Sequence, residues 1–201
     1  MKTIIFDMYG VIMKESKGNF IPYTYSHFPA SEHERITNLF KVDKLFTKAG
    51  NGDIDSFTFL SRIGFSDPIY HMRDYIENHL TIDKEFYDFA FKKKDDYQYA
   101  LCSNDVSDWS KYITDYHDLN KYFTVKIVSA NVHYRKPDTK IFELTLQKLG
   151  LPAKECIFVD NSTENLRTAD RLGMDTILFN RDGETYDGKI VYSFDELSRI
   201  V

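Results

Sequence analysis

Five short apolar runs constrain the fold of this chain more than any other feature of its sequence. They cover residues 3–6, 97–102, 124–128, 156–159 and 176–179. Each run is rich in β-forming residues and is too short to form a helix of ordinary length. Each is therefore predicted to be a strand that is buried on both faces, as in a parallel sheet.

Helical patterns separate the later runs. Pro137 and Asp138 begin one pattern that ends at Gly150, and Ser162 caps another that ends at Gly173. Strands that alternate with helices at this spacing indicate right-handed βαβ crossovers. The sequence therefore predicts an α/β fold with a Rossmann-like, doubly wound parallel sheet.

Residues 16–82 break this alternation, because they contain no convincing buried strand. Helical patterns at 33–46 and 67–80 flank a turn-rich stretch at 49–53. The simplest interpretation is an inserted helical unit. We expect it to pack on a core formed by residues 1–15 and 83–201.

Composition and charge exclude several classes of protein. The chain has 201 residues, of which 42% are hydrophobic, and its formal net charge is −5. This favours a globular protein without nucleic acid or an anionic membrane as its main partner. No apolar stretch reaches the roughly 18–20 residues that cross a bilayer, and Asp7 interrupts the apolar N-terminus, so we expect a cytoplasmic protein. Cys102 and Cys156 lie inside apolar runs and are predicted to be buried free thiols.

Polar residues follow the predicted strands where each strand ends. Asp7 follows the first run, Ser103 the second and Asp160 the fourth, and Lys136 stands at the helix start after the third. Each residue alone is an ordinary turn or capping residue. Doubly wound sheets bind their ligands at the carboxyl ends of the strands, so together these residues predict a functional site.

In this order the residues resemble the motifs of the haloacid dehalogenase-like hydrolase superfamily. Asp7 matches the first motif, Ser103 the second, Lys136 the third and residues 160–165 the fourth. The insert at 16–82 stands where members with a helical cap of the first type carry that cap. The resemblance therefore covers nearly the whole chain.

The resemblance implies nucleophilic catalysis by a carboxylate. Asp7 would attack phosphorus, or a carbon that bears a halide, and the resulting aspartyl ester would be hydrolysed by water. Ser103 would hydrogen-bond the oxygens of the transferring group, and Lys136 would offset negative charge. Tyr9, Ser103, Asn104 and Lys136 would contact the substrate, a small phosphorylated molecule.

In the phosphatase branch of the superfamily, Mg²⁺ assists this chemistry. The resemblance implies that its ligands are the carboxylate of Asp7, the backbone carbonyl of Tyr9 and a group from Asp160 and Asn161. Asn161 stands where many phosphatases have a second acid. A neutral amide is a weaker ligand for a hard cation than a carboxylate, so we expect a reduced affinity for Mg²⁺.

Tyr9 occupies the position of the usual general acid, an Asp two residues after the nucleophile. Such an acid contributes roughly 10²–10⁴-fold by protonating the leaving group. A phenol with a pKa of about 10 is a poor substitute at neutral pH. A phosphatase with Tyr9 is therefore expected to favour leaving groups that need no proton, as in acyl or aryl phosphates.

Two other interpretations stay open. True haloacid dehalogenases carry Tyr at this place, because halide leaves without a proton, but Asp160 does not match them and their cap arginine has no convincing counterpart. Arg35 lies in a suitable region and is expected to face solvent. The third interpretation is a non-catalytic descendant that binds a phosphorylated ligand. For residues 50–55, the resemblance suggests a substrate-specificity loop, and the alternative is a plain interhelical turn.

Overall fold

A computed structural model describes residues 1–16 and 19–201, so residues 17 and 18 of the expected insert lie outside the described residues. Its sheet contains the strands β1 (Lys2–Phe6), β2 (Tyr97–Ser103), β3 (Phe123–Val128), β4 (Cys156–Asp160), β5 (Asp175–Phe179) and β6 (Lys189–Val191). All pairings are parallel, in the order β3-β2-β1-β4-β5-β6. The predicted α/β doubly wound sheet is confirmed.

The order of the strands reverses at β1. The chain builds outward from β1 to β2 and β3, then crosses back and adds β4, β5 and β6 on the other side. In the pairing register Phe6 lies beside Leu101 on one side and Val159 on the other. The carboxyl ends of β1 and β4 therefore flank the crevice where ligands bind in such sheets.

The predicted runs coincide with β1 to β5 to within one residue at each end, and β1, β2 and β4 are buried over most of their length. The expectation that every run is buried on both faces is wrong for β3, because this edge strand exposes Thr124 and Lys126. Sequence reasoning missed β6. This strand has three residues at the edge of the sheet, and only Val191 is buried. Such a strand is too short and too exposed to give an apolar run.

Six of the described α-helices lie between β1 and β2, and five of these fall within residues 16–82. They are α1 (Phe20–Ser26), α2 (His33–Lys41), α3 (Leu45–Gly50), α4 (Ser56–Ile63) and α5 (Pro68–His79). The helices that follow are α6 (Glu85–Lys93), α7 (Ser107–Tyr116), α8 (Ser129–Val132), α9 (Thr139–Leu149), α10 (Thr163–Arg171) and α11 (Phe194–Ile200). None of the described helices is both long and apolar enough to cross a membrane.

Local signals explain where most of these helices begin and end. Asp67 accepts a hydrogen bond from Tyr70 N at the start of α5, and Asp138 accepts one from Lys140 N at the start of α9. The predicted continuous helix at 33–46 is wrong, because Lys44 adopts a left-handed conformation (φ 54°) that separates α2 from α3. Ser162 precedes α10 without the expected side-chain capping bond.

The inserted helices pack on α7 through a cluster of aromatic rings. Trp109 of α7 lies 5.0 Å from Phe20 and 5.4 Å from Tyr75, measured between ring centroids. Its indole Nε1 donates to Ser56 Oγ at 2.7 Å. Aromatic pairs at these distances add to the free energy of burying their surface. The insert is therefore held against the sheet-bearing part of the chain by a specific contact.

Candidate active site

Three charged side chains meet at the carboxyl end of the sheet. Asp7 follows β1, Asp160 ends the neighbouring strand β4, and Lys136 precedes α9. Lys136 Nζ lies 2.8 Å from Asp7 Oδ1 and 2.7 Å from Asp160 Oδ2. The fold thus brings together three of the residues that the sequence singles out.

The Asp160 carboxylate is fully engaged within the protein. Its Oδ1 accepts hydrogen bonds from Ser162 N at 2.8 Å and Asn165 Nδ2 at 3.2 Å, while its Oδ2 accepts from Lys136 and Asn165. The side chain is 0% exposed. A buried carboxylate needs such partners, because removing an ion from water costs on the order of several kcal/mol. Asp160 therefore orients Lys136, and its oxygens are occupied without a metal.

Asp7 keeps one oxygen available. Met8 N donates to its Oδ1 at 2.7 Å, and Lys136 contacts the same oxygen. Among the described residues nothing hydrogen-bonds Oδ2. Burial raises the pKa of Asp7 to about 7, against the opposing effect of Lys136. The pKa of Lys136 itself is raised, since the charges of Asp160 and Asp7 outweigh the effect of burial. The ammonium therefore stays charged beside a carboxylate that is free to attack at one oxygen.

Ser103 and Asn104 follow β2 and differ in their contacts. Asn104 clamps the backbone of Lys136, donating from Nδ2 to the carbonyl at 2.8 Å and accepting from the amide at 2.7 Å. Ser103 is completely buried, and its Oγ has no hydrogen-bond partner among the described residues. Buried hydroxyls are normally hydrogen-bonded. The Ser103 hydroxyl is therefore left without a partner by the described residues.

Tyr9 is hydrogen-bonded to a residue to which sequence reasoning gave no role. Its Oη donates to Asp105 Oδ1 at 3.1 Å, and this oxygen also accepts from Val106 N. Asp105 is buried, its Oδ2 lacks a partner among the described residues, and burial raises its pKa to about 8. Burial and Asp105 raise the pKa of Tyr9 well above its usual value. Tyr9 is therefore a weaker acid here than a free phenol.

Asn161 is positioned by a second residue that the sequence analysis missed. Asp182, which follows β5, accepts from Asn161 Nδ2 at 3.0 Å and from Ser16 Oγ at 2.5 Å. A carboxylate only accepts hydrogen bonds, so the Asn161 Oδ1 is left for another partner. Gly10 has a φ of +79°, and a Cβ at this position would overlap the Asn161 amide. Asp182 was detectable by the same rule as the other residues, because it also lies beyond the carboxyl end of a strand.

The donor set fits a magnesium ion that depends on substrate and water for part of its coordination. Of the ligands that the resemblance implies, Oδ2 of Asp7, the carbonyl of Tyr9 and Oδ1 of Asn161 accept no hydrogen bond from the described residues. Within residues 1–16 and 19–201 no group of three or more His, Cys, Asp or Glu side chains has the arrangement of a metal site. Mg²⁺ is commonly held by one or two carboxylates together with substrate phosphate and waters. The residues present are compatible with such a site.

A cavity of about 660 Å³ is lined by Asp7 and Tyr9. Asn104, Arg135 and Asn161 also reach it from the loops that follow the strands. Aromatic side chains, mostly from the inserted helices, form much of the remaining wall: Phe20, Phe40, Phe46, Tyr75 and Trp109. The cavity therefore has a polar end at the sheet and an apolar end at the insert.

Residues 50–55 do not line this cavity. The Gly50 carbonyl accepts from Ser129 Oγ, and the Asn51 carbonyl is hydrogen-bonded to His133 Nδ1 at 2.9 Å. The stretch thus packs on α8 as an interhelical turn, and its suggested role as a substrate-specificity loop stays a prediction. Arg35 is also outside the cavity, because it donates to Glu32 and to the Ile63 carbonyl.

Both cysteines are buried and free, as predicted. Cys102 lies in β2 and Cys156 in β4, so each side chain is part of the apolar layer on one face of the sheet. Burial raises the pKa of both thiols to about 11. A thiol of this kind is a structural group rather than a nucleophile.

Sequence comparison identifies a family model and a curated relative. The model of the haloacid dehalogenase-like hydrolases matches residues 1–173. A segment of 61 residues is 43% identical to acyl-CoA dehydrogenase family member 10 from Mus musculus. This segment is 30% of the chain but 6% of that protein, so the likeness concerns a small part of the relative.

Solved structures share the fold. An HAD family enzyme from Bacteroides thetaiotaomicron, in complex with magnesium and inorganic phosphate, matches with a TM-score of 0.75 at 21% identity, over 93% of this chain and 98% of that one. A dehalogenase matches with a TM-score of 0.71 at 18% identity, over 100% and 97%. These likenesses concern the fold, and the family model covers most of the sequence. The chain belongs to the haloacid dehalogenase-like hydrolase family.

Proposed function

We propose that this protein hydrolyses acyl and aryl phosphates, whose leaving groups depart without protonation. The observation that carries the proposal is the buried chain Asp7–Lys136–Asp160, in which Asp7 keeps Oδ2 free at the edge of the cavity. A carboxylate held beside a permanent positive charge is suited to attack a phosphoryl group.

In the first step, Oδ2 of Asp7 attacks phosphorus and forms an aspartyl phosphate. The bond between phosphorus and the leaving oxygen breaks, and that oxygen keeps the electron pair. In the second step, water attacks the phosphorus, releases inorganic phosphate and restores the Asp7 carboxylate. Lys136 offsets the negative charge in both steps, and the buried Ser103 hydroxyl donates to a phosphoryl oxygen.

Mg²⁺ is the proposed cofactor, and it supplies further charge neutralisation at the phosphoryl oxygens. Asp7, the Tyr9 carbonyl and Asn161 would hold it, with Asp160 acting through Lys136. The magnesium and phosphate bound by the structural neighbour from B. thetaiotaomicron support this proposal. Because Asn161 replaces an acid, the affinity for the metal is lower than with two carboxylates.

The leaving group departs without a proton because Tyr9 holds its own. The Tyr9 hydroxyl donates to Asp105, and burial of the pair raises the pKa of Tyr9 further above neutrality. Acyl and aryl oxygens are stable enough as anions to leave unaided, whereas alkoxides are not. The substrate class therefore follows from the residue at this position.

We also propose that residues 16–82 act as a cap over a core of residues 1–15 and 83–201. Two neighbouring segments connect the parts: Lys14 N donates to the Thr81 carbonyl, and Asp83 N donates to the Ile12 carbonyl. The aromatic end of the cavity comes mainly from this cap. Such a cap excludes water and selects the leaving group. The substrate is a small phosphorylated molecule with an apolar or aromatic part, and the cytoplasmic location stays a prediction.

The test is hydrolysis of p-nitrophenyl phosphate, acetyl phosphate and a simple alkyl phosphate with Mg²⁺. We expect turnover of the first two and little of the third. Asp7→Asn abolishes turnover, and the exposed Asp95→Asn is the matched control that keeps it. Equal activity of Asp7→Asn and the wild type would overturn the nucleophilic mechanism.

The dehalogenase interpretation rests on Tyr9 and on the dehalogenase among the structural neighbours. The cavity is much larger than a two- or three-carbon haloacid requires, and Arg35 does not reach it. Chloride release from 2-chloropropionate, with no turnover of any phosphate, would support that interpretation. Thermal stabilisation by phosphate without turnover of any substrate would support a binding protein instead.

A further inference from the structure

Arg135 is a cavity-lining cation without a partner. It stands directly before Lys136 and lines the cavity beside Asn104. Its Nη1 is buried and has no hydrogen-bond partner among the described residues. Within residues 1–16 and 19–201, no carboxylate forms an ion pair with its guanidinium. Burial alone lowers the pKa of Arg135, since no neighbouring carboxylate opposes the effect. The positive charge is therefore uncompensated.

The surroundings offer no structural reason for this charge. A Cβ added to Gly50 would lie 3.7 Å from Arg135 Nη1, which is an ordinary packing distance. Arg135 is partly buried, and its Nη1 is shielded from solvent without a partner, which costs free energy. A charge that is retained under such conditions is explained by a partner that arrives with the ligand.

Lys136 does not duplicate this role. Its Nζ is 1% exposed and is shared between Asp7 and Asp160, so it serves the reacting group. Arg135 carries a planar fork of donors that matches an oxyanion with two acceptor atoms. The two neighbouring cations thus face different partners, one inside the protein and one in the cavity.

We propose that Arg135 binds a second oxyanion, a carboxylate or a second phosphate, on the leaving-group side of the substrate. This inference rests on the proposed function only in placing the reacting phosphoryl group at Asp7. It narrows the substrates to acyl or aryl phosphates that carry a second anionic group besides the reacting phosphoryl group.

Phosphonates test the inference, because their P–C bond is not hydrolysed and binding is measured without turnover. Dissociation constants for phenylphosphonate, 3- and 4-carboxyphenylphosphonate and 1,4-phenylenebisphosphonate are determined by calorimetry with Mg²⁺. We expect at least one dianionic-ended compound to bind the wild type about tenfold or more tightly than phenylphosphonate. The carboxylates and the bisphosphonate distinguish the two kinds of oxyanion.

Variants of Arg135 test whether this residue causes the preference for compounds with two anionic groups. Arg135→Gln reduces the affinity ratio to about one, and Arg135→Lys retains part of it, because a lysine keeps the charge without the fork. Arg62→Gln, an exposed arginine outside the cavity, is the matched control and leaves the ratio unchanged. Survival of the full preference in Arg135→Gln would overturn the inference, as would a wild type without any preference.

Thermal melting separates binding from a structural role. Because the partly buried guanidinium of Arg135 has no partner among the described residues, we expect the melting temperature of Arg135→Gln to equal or exceed that of the wild type. A clear drop would indicate a structural cation and overturn the inference. If acyl and aryl phosphates are not hydrolysed but the phosphonate preference depends on Arg135, the proposed function fails and the inference stands.

Discussion

The carboxyl end of the sheet and the inserted helices form the two ends of one cavity by different physical means. At the sheet, Lys136 bridges Asp7 and Asp160 in a buried chain of charges. At the insert, rings pack against rings, as where Phe20 meets Tyr75 edge-to-face at 5.0 Å. The first arrangement fixes a few atoms for chemistry, and the second provides a surface that selects by shape.

The two arrangements respond differently to change. A buried ion pair fails as a unit, because the loss of one partner leaves the other charge unpaired. An aromatic wall loses contacts in proportion to the area removed. Substitutions at the sheet should therefore affect every substrate, whereas substitutions at the wall should affect only substrates that reach it.

The largest effect is expected for Lys136→Met, which leaves Asp7 and Asp160 buried without a cation. We expect the free energy of unfolding to fall by about 3–5 kcal/mol and activity to be lost. Urea denaturation measures the first quantity. Lys140→Met, in an exposed pair with Glu143, is the control and causes no measurable loss.

A double variant keeps this prediction testable if Lys136→Met does not fold. Adding Asp160→Asn removes one of the two unpaired charges, so Lys136→Met/Asp160→Asn should be more stable than Lys136→Met alone. A double variant that is less stable than either single variant would show that charge compensation is not what holds this site together.

An intermediate effect is expected for Phe46→Ala at the cavity wall. The KM for p-nitrophenyl phosphate should rise about two- to tenfold, because the aromatic leaving group loses a ring contact. The KM for acetyl phosphate should stay unchanged, since its small leaving group does not extend to the insert. Phe57→Ala, an exposed residue of α4, is the control. Equal changes of KM for both substrates would contradict the proposed contact between the aromatic wall and the leaving group.

The smallest effect is expected for Asp105→Asn and concerns the pH dependence of stability. Asp105 is a buried carboxyl group that forms no ion pair among the described residues. Its pKa is about 8 in the folded protein against 3.8 ordinarily, so the folded state binds this proton more tightly than the unfolded state. Its contribution to stability is therefore fully present below the unfolded pKa of 3.8 and is lost progressively as the pH rises from there through about 8. Between pH 6 and pH 9, the melting temperature of the wild type should fall further than that of Asp105→Asn.

The control for this experiment is the exposed Asp108→Asn, which should follow the wild type at every pH. Parallel melting curves of the wild type and Asp105→Asn across the range would show that Asp105 does not change its protonation on unfolding. The pH dependence would then have to come from other groups, such as Asp7.

The sheet was predictable because β1, β2 and β4 are buried over most of their length and its strands are punctuated by polar residues. Asp7 and Asp160 could be placed together from the rule on strand ends alone. The break between α2 and α3 could not, because it depends on the left-handed backbone at Lys44 and not on a glycine or proline. The edge strand β6 has no apolar run because only one of its three residues is buried.

The candidate site was predictable in its motif residues and incomplete around them. Asp182 was missed because its relevance depends on its hydrogen bonds to Asn161 and Ser16, which only the tertiary structure shows. Arg135 and Asp105 were visible beside the motif residues, but their burial and lack of partners are properties of the tertiary structure. A sequence does not show which of two adjacent cations is already paired.

The most direct test of the account is the dependence of kcat/KM on the pKa of the leaving group, across a series from nitrophenyl through phenyl to alkyl phosphates. We expect kcat/KM to fall steeply along the series for the wild type and less steeply for Tyr9→Asp, in which a carboxylic acid delivers the proton. Equal rates for alkyl and aryl phosphates in the wild type would contradict it.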